Sequence, residues 1–390
     1  MHYRRFGKTG LSLSVFSLGT MRCLASEEIA QQTIQQAIRL GINHLETASG
    51  YGRSEEYLGA ALKRLGRSGE RCSMADQGNV PLGAAKLHIT TKLPPTPDAR
   101  TMQRGIERSL TRLQVDSIDC LAIHGLNTEE HLAWVEAPGG CLQAVQAAVE
   151  RGLVKHVGFS THGSLAAILG AIATHQFEFI NLHYYLFWQR NAPALELAHQ
   201  QDMGIFIISP ADKGGQLYTP SPTLKTLCAP FTPLELNYRF LLSDPRITTL
   251  SLGAANPAEL TEPLLAADRT DPLTASEQVT LQQLQERQIE SLGTERCSQC
   301  YACLPCPEAI HIPEVLRLRN LTVAYDMKAF GQYRYAMFEN AGHWFPGHKA
   351  DRCTDCGECL PRCPEQLDIP ALLRDTHQRL SGPPRRRLWG

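Results

Sequence analysis

The chain has no apolar run long enough to cross a bilayer. Its opening, MHYRRFGKTG, also has no long apolar core of the kind that directs export. A soluble, cytoplasmic protein with no membrane partner is therefore expected. Net charge is nearly absent too: 38 Lys and Arg stand against 39 Asp and Glu, a formal charge of -1. That balance excludes a broad basic surface for nucleic acid. The one concentrated basic patch, Arg385, Arg386 and Arg387 in the tail GPPRRRLWG, follows two prolines and reads as a solvated end. No flavin-binding fingerprint is visible. What the chain does have is length and cysteine. At 390 residues it exceeds the usual single domain, so one large and one small domain are expected.

Eight of the 13 cysteines fall in two short runs near the C-terminus. The first is CSQCYACLPCP, with Cys297, Cys300, Cys303 and Cys306; the second is CTDCGECLPRCP, with Cys353, Cys356, Cys359 and Cys363. The second run has the C-x2-C-x2-C-x3-C-P form of bacterial ferredoxins, in which three thiolates hold one cubane and the fourth reaches a different cluster. The first run is one residue shorter before its last cysteine. If the exchange operates, Cys297, Cys300 and Cys303 share a 4Fe-4S cluster with Cys363, and Cys353, Cys356 and Cys359 share a second with Cys306. Structural zinc would use two separated ligand pairs, and a disulfide framework conflicts with a reducing cytosol, so iron-sulfur chemistry is the preferred reading. Cys23, Cys72, Cys120, Cys141 and Cys228 lack ligand spacing and read as ordinary packed or surface thiols.

From residue 15 onward, short β-rich runs alternate with longer helical stretches, the pattern of a parallel sheet wrapped in helices. Candidate strands are Val15 to Leu18, His44 to Thr47, His88 to Lys92, Ile118 to His124, Val157 to Ser160, Phe179 to Leu182, Ile205 to Ser209 and Thr248 to Leu252. Eight such strands close a (β/α)8 TIM barrel. Ser26 reads as the N-cap of the first helix and Gly41 as its stop. Two stretches depart from the pattern: an insertion over 66–87 before the third strand, expected to be peripheral, and a Pro-rich loop from Gly214 to Thr232. The expected organisation is a barrel over 1–270, a linker helix within 271–292 centred on a polar stretch from about Ser276 to Gln288, a mostly α-helical ferredoxin-like iron-sulfur domain over 293–380, and a basic tail over 381–390. Within the small domain a helix is expected from Ile312 to Tyr325. The aromatic-rich segment FGQYRYAMFENAGHWF is expected to wall the clusters off from water.

In this fold chemistry sits at the C-terminal ends of the strands. Glu46 closes the second strand, Tyr51 lies in the loop just beyond, Lys92 closes the third and His124 the fourth. Each alone has an ordinary explanation as a turn, surface or capping residue. Together, a carboxylate, a phenol, an amine and an imidazole at neighbouring strand ends suit proton donation coupled to hydride transfer. A phenol is a poor acid at neutral pH, and a nearby ammonium lowers its pKa. Lys92 would supply that charge, Glu46 would hold Lys92, His124 would bond a substrate carbonyl oxygen, and Tyr51 would protonate it.

The segments YRRFGKTGLSLSVFSLGTM, ETASGYGRSEEYLG, TTKLP, GLVKHVGFSTHGS and IISPADKGGQL resemble landmarks of the aldo/keto reductase family, NAD(P)H-dependent carbonyl reductases on a TIM barrel. The cysteine module resembles the C-terminal ferredoxin-like extension of an iron-sulfur branch of that family. The resemblance implies an acid/base tyrosine at Tyr51, with Lys92 and His124 as its partners. Glu46 stands where the family has aspartate, so its ion pair to Lys92 must be re-aimed. The resemblance further implies that Ser160 and Asn181 contact the nicotinamide carboxamide, that Ser209 and Pro210 begin the pyrophosphate loop, and that Glu262 lies on the adenosine side. Gly253 and Ala254 stand where lysine and serine often take a 2′-phosphate, and Glu259 replaces an arginine. The loss of those cations leaves NADPH and NADH both open.

Two readings of different class remain at this point. In one, the chain reduces a small-molecule carbonyl, and its clusters stabilise the extension or serve a one-electron redox partner. In the other, the barrel is a nucleotide-sensing or docking platform and the iron-sulfur module is the active redox part.

Overall fold

A computed structural model of the chain describes residues 1–65 and 86–382. Most of the insertion over 66–87, with Cys72, lies outside the described residues, as do Arg385, Arg386 and Arg387 of the basic tail. The chain divides into two compact units: Met1–Pro210 with Tyr238–Pro272, and Ala211–Asn237 with the chain from Leu273 onward.

The first unit opens on an antiparallel hairpin of β1 (Tyr3–Arg5) and β2 (Ser12–Ser14). Strands β3 (Phe16–Gly19), β4 (His44–Glu46), β5 (His88–Leu93) and β6 (Ile118–His124) follow. Then come β7 (Val154–Ser160), β8 (Phe179–Leu182), β9 (Gly204–Ile207) and β10 (Thr249–Leu252). From β3 onward the strands pair in parallel in the order β10-β3-β4-β5-β6-β7-β8-β9 and close on themselves, giving the expected barrel. Their residues are almost all buried, as parallel strands covered on both faces must be. The helix Glu27–Arg39 starts as expected: the Ser26 side chain accepts from Ile29 N, and Gly41 follows the helix at a φ of 91°.

The hairpin lies outside the expected strand pattern, and its position follows from packing. Phe6, directly after β1, meets the Phe179 ring at 5.2 Å and approaches Gly204 so closely that a Cβ there would lie 2.3 Å from its ring. Phe179 and Gly204 begin β8 and β9, so the hairpin seals the N-terminal end of the barrel. Inside, the ring of His44 spans Ser17 Oγ at 2.6 Å and Thr90 Oγ1 at 2.7 Å. Burial pushes its pKa down to about 3, so the imidazole is a neutral packing element.

The second unit is helical. Its main helices are Ala275–Leu292, Ile312–Tyr325, Lys328–Tyr335 and Ile369–Leu380. The first runs a full turn past the expected polar stretch, and Thr274 and Glu277 cap it reciprocally. The helix Ile312–Tyr325 has the expected bounds. The Pro-rich loop from Gly214 to Thr232 requires correction, because it contains the helix Pro222–Cys228. Ser221 is its N-cap and Pro222 sits in its first turn, a start signal that the proline count obscured. Cys23, Cys120, Cys141 and Cys228 are all buried.

Candidate active site and cluster cavities

Backbone pairing sets the barrel-mouth residues before any side chain acts. Glu46 is paired with Thr90 between β4 and β5, two residues before Lys92. Past the end of β4, Ser49 N donates to Lys92 O at 3.0 Å, so the chain beyond β4 stays against β5. Tyr51 N donates to Ala48 O at 3.0 Å, and Gly52 turns the backbone at a φ of 54°. This tight loop delivers the phenol over the mouth. Lys92 Nζ lies 4.9 Å from the Tyr51 ring centroid, and the His124 ring meets that ring edge-on at 5.6 Å. The four strand-end residues named from the sequence are thus brought together.

Lys92 and Glu46 are 2% and 4% exposed and pair at 2.7 Å, so the longer carboxylate does reach the ammonium. Lys92 Nζ also donates to Thr47 O at 2.9 Å. Burial alone would lower the Lys92 pKa, but Glu46 and Tyr51 outweigh it, and the amine is held charged with its pKa raised. For Tyr51 the balance runs differently from the expectation. Burial pushes the phenol pKa up, Lys92 pulls it down, and Glu46 adds to the rise, so the net direction is upward. Lys92 does stabilise the phenolate, but loss of water costs the phenolate more than one ammonium returns.

Of the residues expected at the cofactor, Ser160, Asn181 and Pro210 are buried. Ser160 and Asn181 are register partners on β7 and β8. Ser160 Oγ accepts from Gly125 N at 3.2 Å. Asn181 is fully buried; its Nδ2 donates to Glu46 Oε1 at 2.8 Å, and its Oδ1 has no hydrogen-bond partner. Ser209, half-buried, adopts a φ of 52°, and Pro210 follows it. Glu262 is exposed. Glu259 pairs with Arg22 at 2.8 Å, and Arg22 also donates to Gly253 O at 2.8 Å.

Two histidines at the mouth escaped the sequence reading. His162 and His183 each follow by two residues one member of the Ser160/Asn181 pair, an offset that could have flagged them. Tyr185 Oη donates to Ile208 O at 2.5 Å and so accepts from His183 Nδ1. His183 Nε2 lies 3.0 Å from His162 Nδ1, within hydrogen-bond distance.

In the second unit the cysteines line two separate cavities. The first is lined by Cys297, Cys300, Cys303 and Cys363, the second by Cys306, Cys353, Cys356 and Cys359. The fourth cysteine of each run therefore crosses to the other cavity, despite the shorter spacing before Cys306. Positive φ values recur in step along both runs: Gln299 and Tyr301 in the first, Asp355 and Gly357 in the second. These left-handed turns curl the chain around the thiols. Among the described residues, no three His, Cys, Asp or Glu side chains are grouped to hold a single metal ion. Four cysteines lining each cavity match the ligand count of a cubane, which occupies the space between its thiolates.

One expectation fails here. The cavity walls are Pro313, Leu316, Leu367 and Ile369 on one side and Ile312, Pro370 and Leu373 on the other, with no residue of the segment 330–345. That segment's rings pack on each other instead, Phe338 with Tyr335 and Phe345 at 5.9 and 4.6 Å, and Arg334 lies over Phe345. Helix starts shield the thiols because those ends converge there.

Residues 16–286 match the aldo/keto reductase family. The chain belongs to that family. Residues 296–368 match a 4Fe-4S dicluster domain, so this aldo/keto reductase carries a ferredoxin-type iron-sulfur domain after its barrel. The uncharacterized oxidoreductase YqkF of Bacillus subtilis is 22% identical over 303 residues, covering 69% of this chain and 92% of its own length. The 6-dehydroglucose reductase of Novosphingobium aromaticivorans is 28% identical over 182 residues, covering 43% of this chain and 54% of its own. A solved aldo-keto reductase from Bacillus halodurans, in its holo form, superposes with a TM-score of 0.60 at 21% identity, over 72% of this chain and 95% of that one. At that identity the likeness shows the barrel fold alone. The chain is an oxidoreductase of the aldo/keto reductase type, and none of its described helices is long and apolar enough to cross a membrane.

Proposed function

We propose that the barrel reduces a small-molecule carbonyl with NADH or NADPH, and that the eight clustered cysteines hold two 4Fe-4S clusters. The observation that carries the first part is the buried Glu46–Lys92 pair at 2.7 Å beneath Tyr51. A buried ammonium is costly to maintain and serves packing poorly, but it suits a phenol that must give up a proton. Tyr51 keeps its proton through neutral pH because burial raises its pKa. It donates that proton to the carbonyl oxygen, and the resulting phenolate is stabilised by Lys92, which Glu46 keeps charged. His124, edge-on to Tyr51, orients the same oxygen by a hydrogen bond.

A reduced nicotinamide, when bound, supplies the hydride that these side chains lack. Asn181 Oδ1, buried and without a donor, fits a carboxamide N–H, and the Ser160 hydroxyl beside it fits the carboxamide oxygen. Ser209 and Pro210 begin the loop for the pyrophosphate, and Glu262 serves the adenosine side. The Arg22 guanidinium near Gly253 is already neutralised by Glu259, so this region favours NADH over the extra phosphate of NADPH.

Cys297, Cys300, Cys303 and Cys363 hold one cluster and Cys306, Cys353, Cys356 and Cys359 the other, as the grouping of four thiols per cavity supports. A cluster supplies one-electron chemistry when bound, which calls for a one-electron redox partner if the module carries current.

Anaerobically purified protein should be brown, contain iron and acid-labile sulfide, and oxidise NADH or NADPH with an aldehyde panel. Tyr51→Phe should abolish that turnover and leave the iron content unchanged. Full activity in the variant would remove the mechanism. Wild-type protein that binds neither nucleotide would instead favour a docking platform with the iron-sulfur module as its redox part.

A further inference from the structure

We infer that Glu46 and Asn181 work as one unit, a strut across the barrel mouth through which Asn181 positions the proton-donating group and presents its own oxygen to the cofactor. The inference rests on the carbonyl-reductase reading above and concerns how its parts are held. In the closed order β10-β3-β4-β5-β6-β7-β8-β9, β4 and β8 are four strands apart in a ring of eight, on opposite walls. Glu46 and Asn181 nonetheless meet at 2.8 Å, both at least nine-tenths buried. Their combined side-chain length must therefore match the width of the mouth.

The same oxygen, Glu46 Oε1, accepts from Lys92 Nζ at 2.7 Å and from Asn181 Nδ2 at 2.8 Å. A carboxylate holding two donors on one oxygen is confined in both position and rotation. Two consequences follow. Lys92 is fixed at 4.9 Å from the Tyr51 ring, where its charge acts on the phenol. The amide of Asn181 cannot flip, because a carboxylate accepts only from the NH2 end, so Oδ1 is forced to the side where it has no protein partner. One hydrogen bond thus sets both the proton donor's support and the acceptor offered to a carboxamide. Asn181 is a positioning residue towards Tyr51, acting through Glu46 and Lys92.

The fixed width of the mouth makes the contact sensitive to side-chain length. Glu46→Asp shortens one arm of the strut by a methylene, and Asn181→Gln lengthens the other by the same amount. Each single variant breaks or crowds the contact, whereas the double variant Glu46→Asp/Asn181→Gln restores the combined reach. The flexible Lys92 stem can follow a carboxylate displaced by one carbon. Loss of a charge-assisted buried hydrogen bond predicts a roughly tenfold to hundredfold fall in kcat/KM for each single variant. The double variant should return to within a few-fold of wild type. NADH dissociation constants, followed by quenching of protein fluorescence, should show the same pattern, since Oδ1 orientation depends on Glu46.

If instead the single losses multiply in the double variant, the two residues act independently and the strut is refuted, while an inactive Tyr51→Phe would still uphold the reading it rests on. A fully active Tyr51→Phe, or wild-type protein without nicotinamide binding, overturns both.

Discussion

At the scale of single residues, the barrel mouth is organised around one buried positive charge. Lys92 is 2% exposed and engages Glu46, Thr47 O and the Tyr51 ring together. Lys92→Met should remove turnover and also destabilise the protein by about 3–5 kcal/mol, because Glu46 would be left as a buried carboxylate without its cation. Thermal melting alongside the aldehyde assay would check both. The pH dependence follows from the direction of the Tyr51 shift. The donor must be protonated, and burial raises its pKa above the usual phenol value. The reduction rate should therefore stay flat through neutral pH and decline only above about pH 10, as Tyr51 loses its proton. A decline near neutrality in a pH profile of kcat would mean that another group donates. The identities of Tyr51, Lys92, His124 and Glu46 were legible from their strand-end positions. The sign of the Tyr51 shift was not, because it depends on how much water the folded mouth excludes.

At the scale of elements, the strands were readable because each is a short β-rich run between helical stretches, and a parallel barrel buries both strand faces. The hairpin was not readable: β1 and β2 have three residues each, too few to show a period. Close strand packing at the start of β8 yields a sharp expectation. A Cβ at Gly158 on β7 would lie 2.5 Å from Phe179 O and from its ring on β8. Gly158→Ala should cost about 1–3 kcal/mol through forced displacement of β8, measurable as a lowered melting temperature. In the second unit, the helix Ile312–Tyr325 buries an ion pair, Glu314 with Arg317, each 6% exposed at the side chain. Burial raises the Glu314 pKa, Arg317 together with Arg334 and His311 more than reverses that, and the net is a fall to about 2. The folded pKa lies below the unfolded value of about 4.3, so the pair's contribution is present above that pH and disappears as pH falls towards 2. It amounts to roughly 3 kcal/mol. Glu314→Gln should flatten the stability of the full chain between pH 5 and pH 2.5 in a series of melts.

At the scale of the whole molecule, one chain joins an aldo/keto reductase barrel to a 4Fe-4S dicluster domain and divides into two compact units. The exchange of fourth cysteines gives the cluster module a specific vulnerability. Cys297→Ala and Cys363→Ala should each deplete the same cluster, and combining them should remove no more iron than either alone. Cys297→Ala with Cys306→Ala should deplete both. Iron and sulfide counts would distinguish these patterns, and equal losses for every pair would refute the exchange.

Local spacing alone specified the barrel, the cluster domain and the strand-end places of Glu46, Tyr51, Lys92 and His124, through strand runs, strand ends and the gaps between cysteines. Closure of the barrel is what brings Glu46 and Asn181, 135 residues apart, into a bond across its mouth. The folded second unit likewise puts helix starts, and not the aromatic segment, at the walls of the cluster cavities. Contacts between opposite walls depend on barrel width and side-chain length together, and the pKa of a buried group depends on excluded water. Neither quantity is written in the spacing of residues along the chain.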